Sequence, residues 1–141
     1  MTDTTVITVK TIINKPLDES WELFTESRYI TKWYFASADW YCRRAENDLC
    51  GGGRFTYRME ARDGSFGFDF SGNYDEVILE NKIAITLDDN RKVEIWFVEE
   101  GEKTYITEKF EPENENPLEL QQQGWQAILD NFKAFAESIQ N

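Results

Sequence analysis

Histidine is absent from this 141-residue chain. That removes the commonest general base, the commonest metal ligand and every Ser–His or Cys–His nucleophile pair. Cysteine is scarce: Cys42 and Cys50 are the only two. They form no CxxC pair for zinc or redox chemistry. Reduced thiols are the expectation, with a bridge across a hairpin as the alternative. Positive charge is short as well, 15 Lys and Arg against 27 Asp and Glu, a formal net of −12. Such a field repels phosphate backbones and anionic lipid surfaces, so neither nucleic acid nor membrane is expected as a partner. No run approaches the roughly 20 apolar residues that span a bilayer. The first five residues lack the basic and apolar regions of a signal peptide, and a cytoplasmic location follows as the expectation.

What is present supports a core. Hydrophobic residues make up 40% of the chain, with 10 Phe, 6 Tyr and 5 Trp. A chain of this length reads as one domain over residues 1–141, burying about 68–70% of its unfolded surface. Val6 to Ile13 alternates as a first strand, and Pro16 ends it. Leu17, Trp21 and Phe24 recur at helical spacing. Ser27 is placed to cap a second short helix carrying Ile30, Trp33 and Tyr34. Ala38 to Arg44 reads as a strand, with a polar turn at Ala45 to Asp48 and a corner at Gly51-Gly52-Gly53. Phe55, Tyr57 and Met59 alternate, Asp63-Gly64 signals a hairpin, and Phe66, Phe68 and Phe70 start a strand that continues to Ile78 with a bulge at Gly72. Ile83, Ile85 and Leu87, then Val93, Ile95 and Phe97, then Thr104, Ile106, Glu108 and Phe110 give three further inward faces.

The chain closes on one long helix over Asn116 to Ile139. Its apolar face runs Leu118, Trp125, Ile128, Leu129, Phe132, Phe135, Ala136 and Ile139. Asn116 is placed to cap it, Pro117 to open it and Glu119 to complete a capping box. Short connections make the consecutive strands antiparallel. The fold class is therefore α+β: a curved antiparallel sheet of about six or seven strands wrapped around the long C-terminal helix, with two short helices after the first strand.

Few residues carry chemistry. The glycines at 51–53 enter a strand with no following Lys, which is the wrong context for a phosphate loop. The acidic runs Asp88-Asp89, Glu99-Glu100 and Glu111 to Glu115 do not have the ligand spacing of a calcium loop. Glu108 stands out, because alternation points it inward, where a carboxylate is costly unless paired or neutralised. It reads either as a polar anchor with a raised pKa or as a group turned outward by a bulge or satisfied by Arg54 or Arg58. The rings of Phe55, Tyr57, Phe68, Phe70, Phe97 and Trp125 line a cavity or fill a core. Gly124, inside a helix, points to close packing on the sheet or to clearance for something bound. Trp40 and Trp96 fall off the inward series, as a partner surface or a second small cluster.

This order of elements resembles the START-like helix-grip superfamily. Within it the chain is similar to the family of the activator of heat-shock-protein-ninety ATPase, in its C-terminal-type domain. The likeness rests on Pro16 with Trp21, on Trp33, and on Gly52-Gly53-Arg54-Phe55. It also rests on Gly72-Asn73-Tyr74-Asp75-Glu76, Thr104 and Gly124-Trp125. The resemblance implies a cavity between sheet and helix of the kind relatives use for lipids, sterols or polyketides. It brings no shared catalytic motif, and eukaryotic members that stimulate a chaperone ATPase do so as parts of longer chains. The expectation is a non-enzymatic domain, monomer or homodimer, that binds a small apolar molecule without metal or cofactor. Its candidate ligand-binding residues are Trp33, Phe55, Tyr57, Phe68, Phe70, Phe97, Glu108, Trp125 and Leu129. A chaperone-activating accessory and a cyclase- or aromatase-like enzyme using Glu108 and Tyr57 are the alternatives.

Overall fold

The computed structural model describes residues 5–139. Strand β1 (Ile7–Ile13) leads into helices α1 (Leu17–Thr25) and α2 (Ser27–Ile30). Six strands follow: β2 (Trp40–Asn47), β3 (Arg54–Ala61), β4 (Gly67–Ile78), β5 (Lys82–Leu87), β6 (Lys92–Glu100) and β7 (Lys103–Phe110). Helix α3 (Leu118–Ser138) closes the chain. All seven strands form one antiparallel sheet in the order β1-β7-β6-β5-β4-β3-β2. The curled sheet with its long C-terminal helix is the α+β helix-grip arrangement.

The strands form because one residue in two is apolar and buried. Ile83, Ile85 and Leu87 on β5 face the core, as do Val93, Ile95 and Phe97 on β6. Each such side chain contributes about 1.5–3 kcal/mol when fully buried. Two hairpins turn on glycines in the left-handed region, Gly64 at φ 79° and Gly101 at φ 65°. Helix α3 packs mainly along β1 and covers its free edge with side chains. Gln126 accepts from the Lys10 amide at 3.3 Å and donates to the Lys10 carbonyl at 2.9 Å. Lys133 donates to the Ile12 carbonyl at 2.6 Å, and Glu137 accepts from the Asn14 amide at 2.9 Å. An edge occupied in this way cannot template another strand.

Beneath α1 and the second half of α3 the interior is aromatic and closed. Trp21 meets Phe97 edge-on at 4.9 Å, and Phe24 meets Phe132 at 5.0 Å. Trp33 meets Phe132 at 4.8 Å, and its indole N–H donates to the Leu23 carbonyl at 3.2 Å.

Five local expectations are corrected. The cap of α3 is Pro117, not Asn116, whose amide group is drawn away to donate to Glu113 at 2.8 Å. Glu26 rather than Ser27 caps α2, which ends at Ile30, so Trp33 and Tyr34 lie beyond it. The polar segment Ala45 to Asn47 continues β2 instead of turning, since an edge strand tolerates polar residues on both faces. The irregularity in β4 falls between Tyr74 and Glu76 rather than at Gly72. Gly72 answers to close approach instead: a Cβ there would sit 2.6 Å from the Thr86 carbonyl oxygen and 3.1 Å from the Phe55 ring. Finally, Leu118 lies outside the buried stripe of α3, being 50% exposed.

Candidate functional site

Between the sheet and the first half of α3 the interior is not closed. A narrow chamber of about 40 Å³ lies among residues of α1, β3 to β7 and α3. By a water-sized measure it holds roughly three water molecules. Its walls include Phe24, Trp33, Tyr34, Phe55, Tyr57, Phe70, Tyr74 and Trp125, together with Ile83, Ile85, Leu87, Val93 and Ile95. A wider vestibule of about 380 Å³ adjoins it, lined by Trp40, Met59, Phe68, Arg91, Gln121 and Ile128 among others. Tyr34, Phe70 and Trp125 line both spaces and so form the partition between them. They form a continuous run of rings, Tyr34 on Phe70 at 5.8 Å and Phe70 on Trp125 at 6.3 Å. Trp125 is in turn stacked on Phe110 at 3.8 Å.

Glu108 reaches the chamber from the sheet side. The registers of β7 with β1 and β6 run unbroken, so Glu108 stays on the inward face with Thr104, Ile106 and Phe110. Neither arginine reaches it. Arg54 grips Asp88 at 3.0 and 2.9 Å, and Arg58 pairs with Glu60 at 3.0 Å and Asp69 at 3.5 Å. Among the described residues Glu108 has neither hydrogen-bond nor ion-pair partner. Burial alone pushes its carboxyl up from 4.5 to about 8, so at neutral pH it is mostly uncharged.

Tyr57 does not serve as a second free anchor. Its hydroxyl donates to Tyr74, which also accepts from the Asn47 amide at 3.3 Å. Asn47 is fixed by a further bond to the Thr25 carbonyl at 2.7 Å. Tyr34 stands nearer the carboxyl: burial, then the Glu108 charge, push its phenol well above its ordinary range.

Of the nine expected residues, Trp33, Phe55, Tyr57, Phe70, Glu108 and Trp125 meet around the chamber. Phe68 lies in the vestibule and is 42% exposed. Phe97 and Leu129 line neither space; they belong to the closed core. Among the lining residues beyond those nine are Tyr34 and Tyr74 in the chamber and Met59, Arg91 and Gln121 in the vestibule. Tyr74 lies on the buried face of β4, a signal that alternation carries. Tyr34 sits past the end of α2, where no period marks it.

Close packing on the sheet does not account for Gly124, since a Cβ there would meet nothing within 4 Å, and Gly124 lines neither the chamber nor the vestibule. Trp40 joins Phe66 and Phe68 in a small cluster at the vestibule rim, at 6.1 and 5.8 Å. Trp96 lies under the ammonium groups of Lys82 and Lys109. Both cysteines are free, Cys42 buried and Cys50 exposed. Among the described residues no Cys, Asp and Glu side chains gather in threes that could hold a metal, and no helix is long and apolar enough to cross a membrane.

Residues 14–137 match the family described as Activator of Hsp90 ATPase homolog 1-like protein. The chain belongs to this family. An AHSA1-like protein of Aeromonas hydrophila, solved in solution, is 36% identical with a TM-score of 0.89, over 95% of this chain and 93% of its own. A Cytophaga hutchinsonii protein is 46% identical with a TM-score of 0.82, over 94% and 92% of the two chains. CalU16 of Micromonospora echinospora, at 21% identity and a TM-score of 0.70 over 93% and 75%, shares the fold. No curated protein matches the chain significantly.

Proposed function

We propose that this member of the family is a non-enzymatic carrier or sensor that holds a small hydrophobic molecule between the sheet and α3. The observation that carries the reading is Glu108, a buried carboxyl that lines the aromatic chamber and has no hydrogen-bond or ion-pair partner among the described residues. A folded protein retains such a group at a cost in stability, and sites that act on ligands are where such groups concentrate. The vestibule lies within the range of small-molecule pockets, whereas the chamber alone is below it. The ligand therefore places a small end in the chamber and its apolar body in the vestibule, with Tyr34, Phe70 and Trp125 giving way between them. Native mass spectrometry of protein taken from lysate tests this by a co-purifying small molecule. An empty spectrum, with no thermal shift across a library of apolar ligands, overturns it.

A chaperone-accessory role is the second reading, favoured by the family's description. It requires a rise in the partner chaperone's ATPase rate, lost on charge reversal in the acidic loops. An unchanged rate at saturating protein removes it. An acid–base role for Glu108 on a polyketide-like substrate is ruled out if Glu108→Gln leaves turnover undiminished.

A further inference from the structure

We infer that the ligand carries a cationic amine, bound with its ammonium in the chamber against Glu108 and the surrounding aromatic faces. This rests on the proposal that the space holds an apolar molecule, and it names the chemistry of that molecule's polar end.

Among the described residues the chamber wall is half aromatic, eight of sixteen, and contains no Lys or Arg. Aromatic faces carry negative quadrupole potential, and rings enclosing a cation are how proteins hold ammonium groups. A single carboxyl completes such a cage by matching the charge. Among the described residues of that wall Glu108 is the one acid, and only 9% of its surface is exposed. A neutral hydroxyl or carbonyl group would not need it, since an amide or a tyrosine offers the same hydrogen bonds without the burden of a buried acid. Only a positive charge turns that burden into an attraction, because Coulomb attraction in the low-dielectric interior then offsets the desolvation of both charges. The formal net charge of −12 also raises the concentration of cations around the protein.

The other titratable groups nearby do not compete. Tyr34, Tyr57 and Tyr74 line the chamber with phenols raised by burial, and the Cys42 thiol, which acts on Tyr34 and Tyr57, is raised to about 11, so all four are neutral at pH 7. In the vestibule, Arg91 is held by Asp89 at 2.7 Å and Glu113 by the Asn116 amides. The free carboxyl is mostly protonated at neutral pH, with its value near 8. An arriving ammonium keeps its own proton and drives the Glu108 proton into solvent, leaving a carboxylate–ammonium pair.

Isothermal titration at pH 7 tests this with 2-phenylethylamine, 2-phenylethanol and 3-phenylpropionate, each in two buffers of different ionisation enthalpy. The amine is expected to bind about tenfold tighter than the alcohol and to release about one proton per molecule bound. The carboxylate probe should not bind measurably. In Glu108→Gln the proton release vanishes and the amine loses its advantage over the alcohol. Equal affinity for amine and alcohol, or amine binding without proton release, overturns the inference while leaving the apolar site standing. Binding by none of the probes overturns both.

Discussion

Two ends of one aromatic interior behave differently, although their residue chemistry is nearly the same. At one end, Trp21, Phe97 and Phe132 pack edge to face with one another or with Phe24, which also borders the chamber, each 8% exposed or less. At the other, Tyr34, Phe70 and Trp125 are only half-buried, and a carboxyl sits among them. The difference lies in what covers the rings. The second half of α3 presents Leu129, Phe132 and Ala136 inward, whereas its first half keeps Leu118 and Leu120 in solvent. Close-packed rings hold the fold; loosely covered rings leave room for a guest.

Truncation at the two ends should separate these roles most strongly. Phe132→Ala is expected to cost about 3–5 kcal/mol in denaturant unfolding, because it opens a cavity in a closed core. Phe70→Ala should cost less than about 2 kcal/mol, since that ring is only partly buried and borders open space. Equal losses would dissolve the distinction between the ends.

Glu108→Gln sharpens it through pH. The folded-state carboxyl titrates near 8, above its ordinary 4.5, so its contribution to stability is intact below pH 4.5 and is lost as pH rises toward 8. The variant should match the parent in stability at pH 4.5 and exceed it by up to about 4 kcal/mol at pH 8. A constant difference between the two pH values would show that the carboxyl is not isolated. At Gly124, where a side chain meets no neighbour, Gly124→Ala should stabilise by about 1 kcal/mol, read as a rise in melting temperature. Destabilisation there would mean that the helix needs the glycine for packing. Smallest of all, Asn116→Ala should change stability by less than about 0.5 kcal/mol, because Pro117 occupies the cap position.

Much of the fold was legible because burial imposes a period. The alternation along β5, β6 and β7 and the stripe of α3 identified both layers, and the inward position of Glu108 followed from Thr104, Ile106 and Phe110. What alternation does not encode is the company an inward residue keeps. Phe97 and Leu129 point inward as Phe55 and Trp125 do, yet the first pair meets other side chains and the second pair a space. That depends on how α3 lies across the sheet, which is set by contacts far apart in the chain. Tyr34 was missed for another reason: helical spacing assigned it to the second short helix, which ends at Ile30 and leaves Tyr34 in the irregular segment beyond. Asn116 shows the limit of local rules, since its side chain meets the loop acid Glu113 rather than the helix it precedes.

The loosely covered end holds a carboxyl that is 9% exposed, removed from bulk solvent and without a hydrogen-bond or ion-pair partner among the described residues. A carbon-13 NMR titration of the Glu108 carboxyl in the free protein tests that isolation most directly. The expected midpoint is near 8. A midpoint at the ordinary 4.5 would place Glu108 in water or against a cation, and would contradict it.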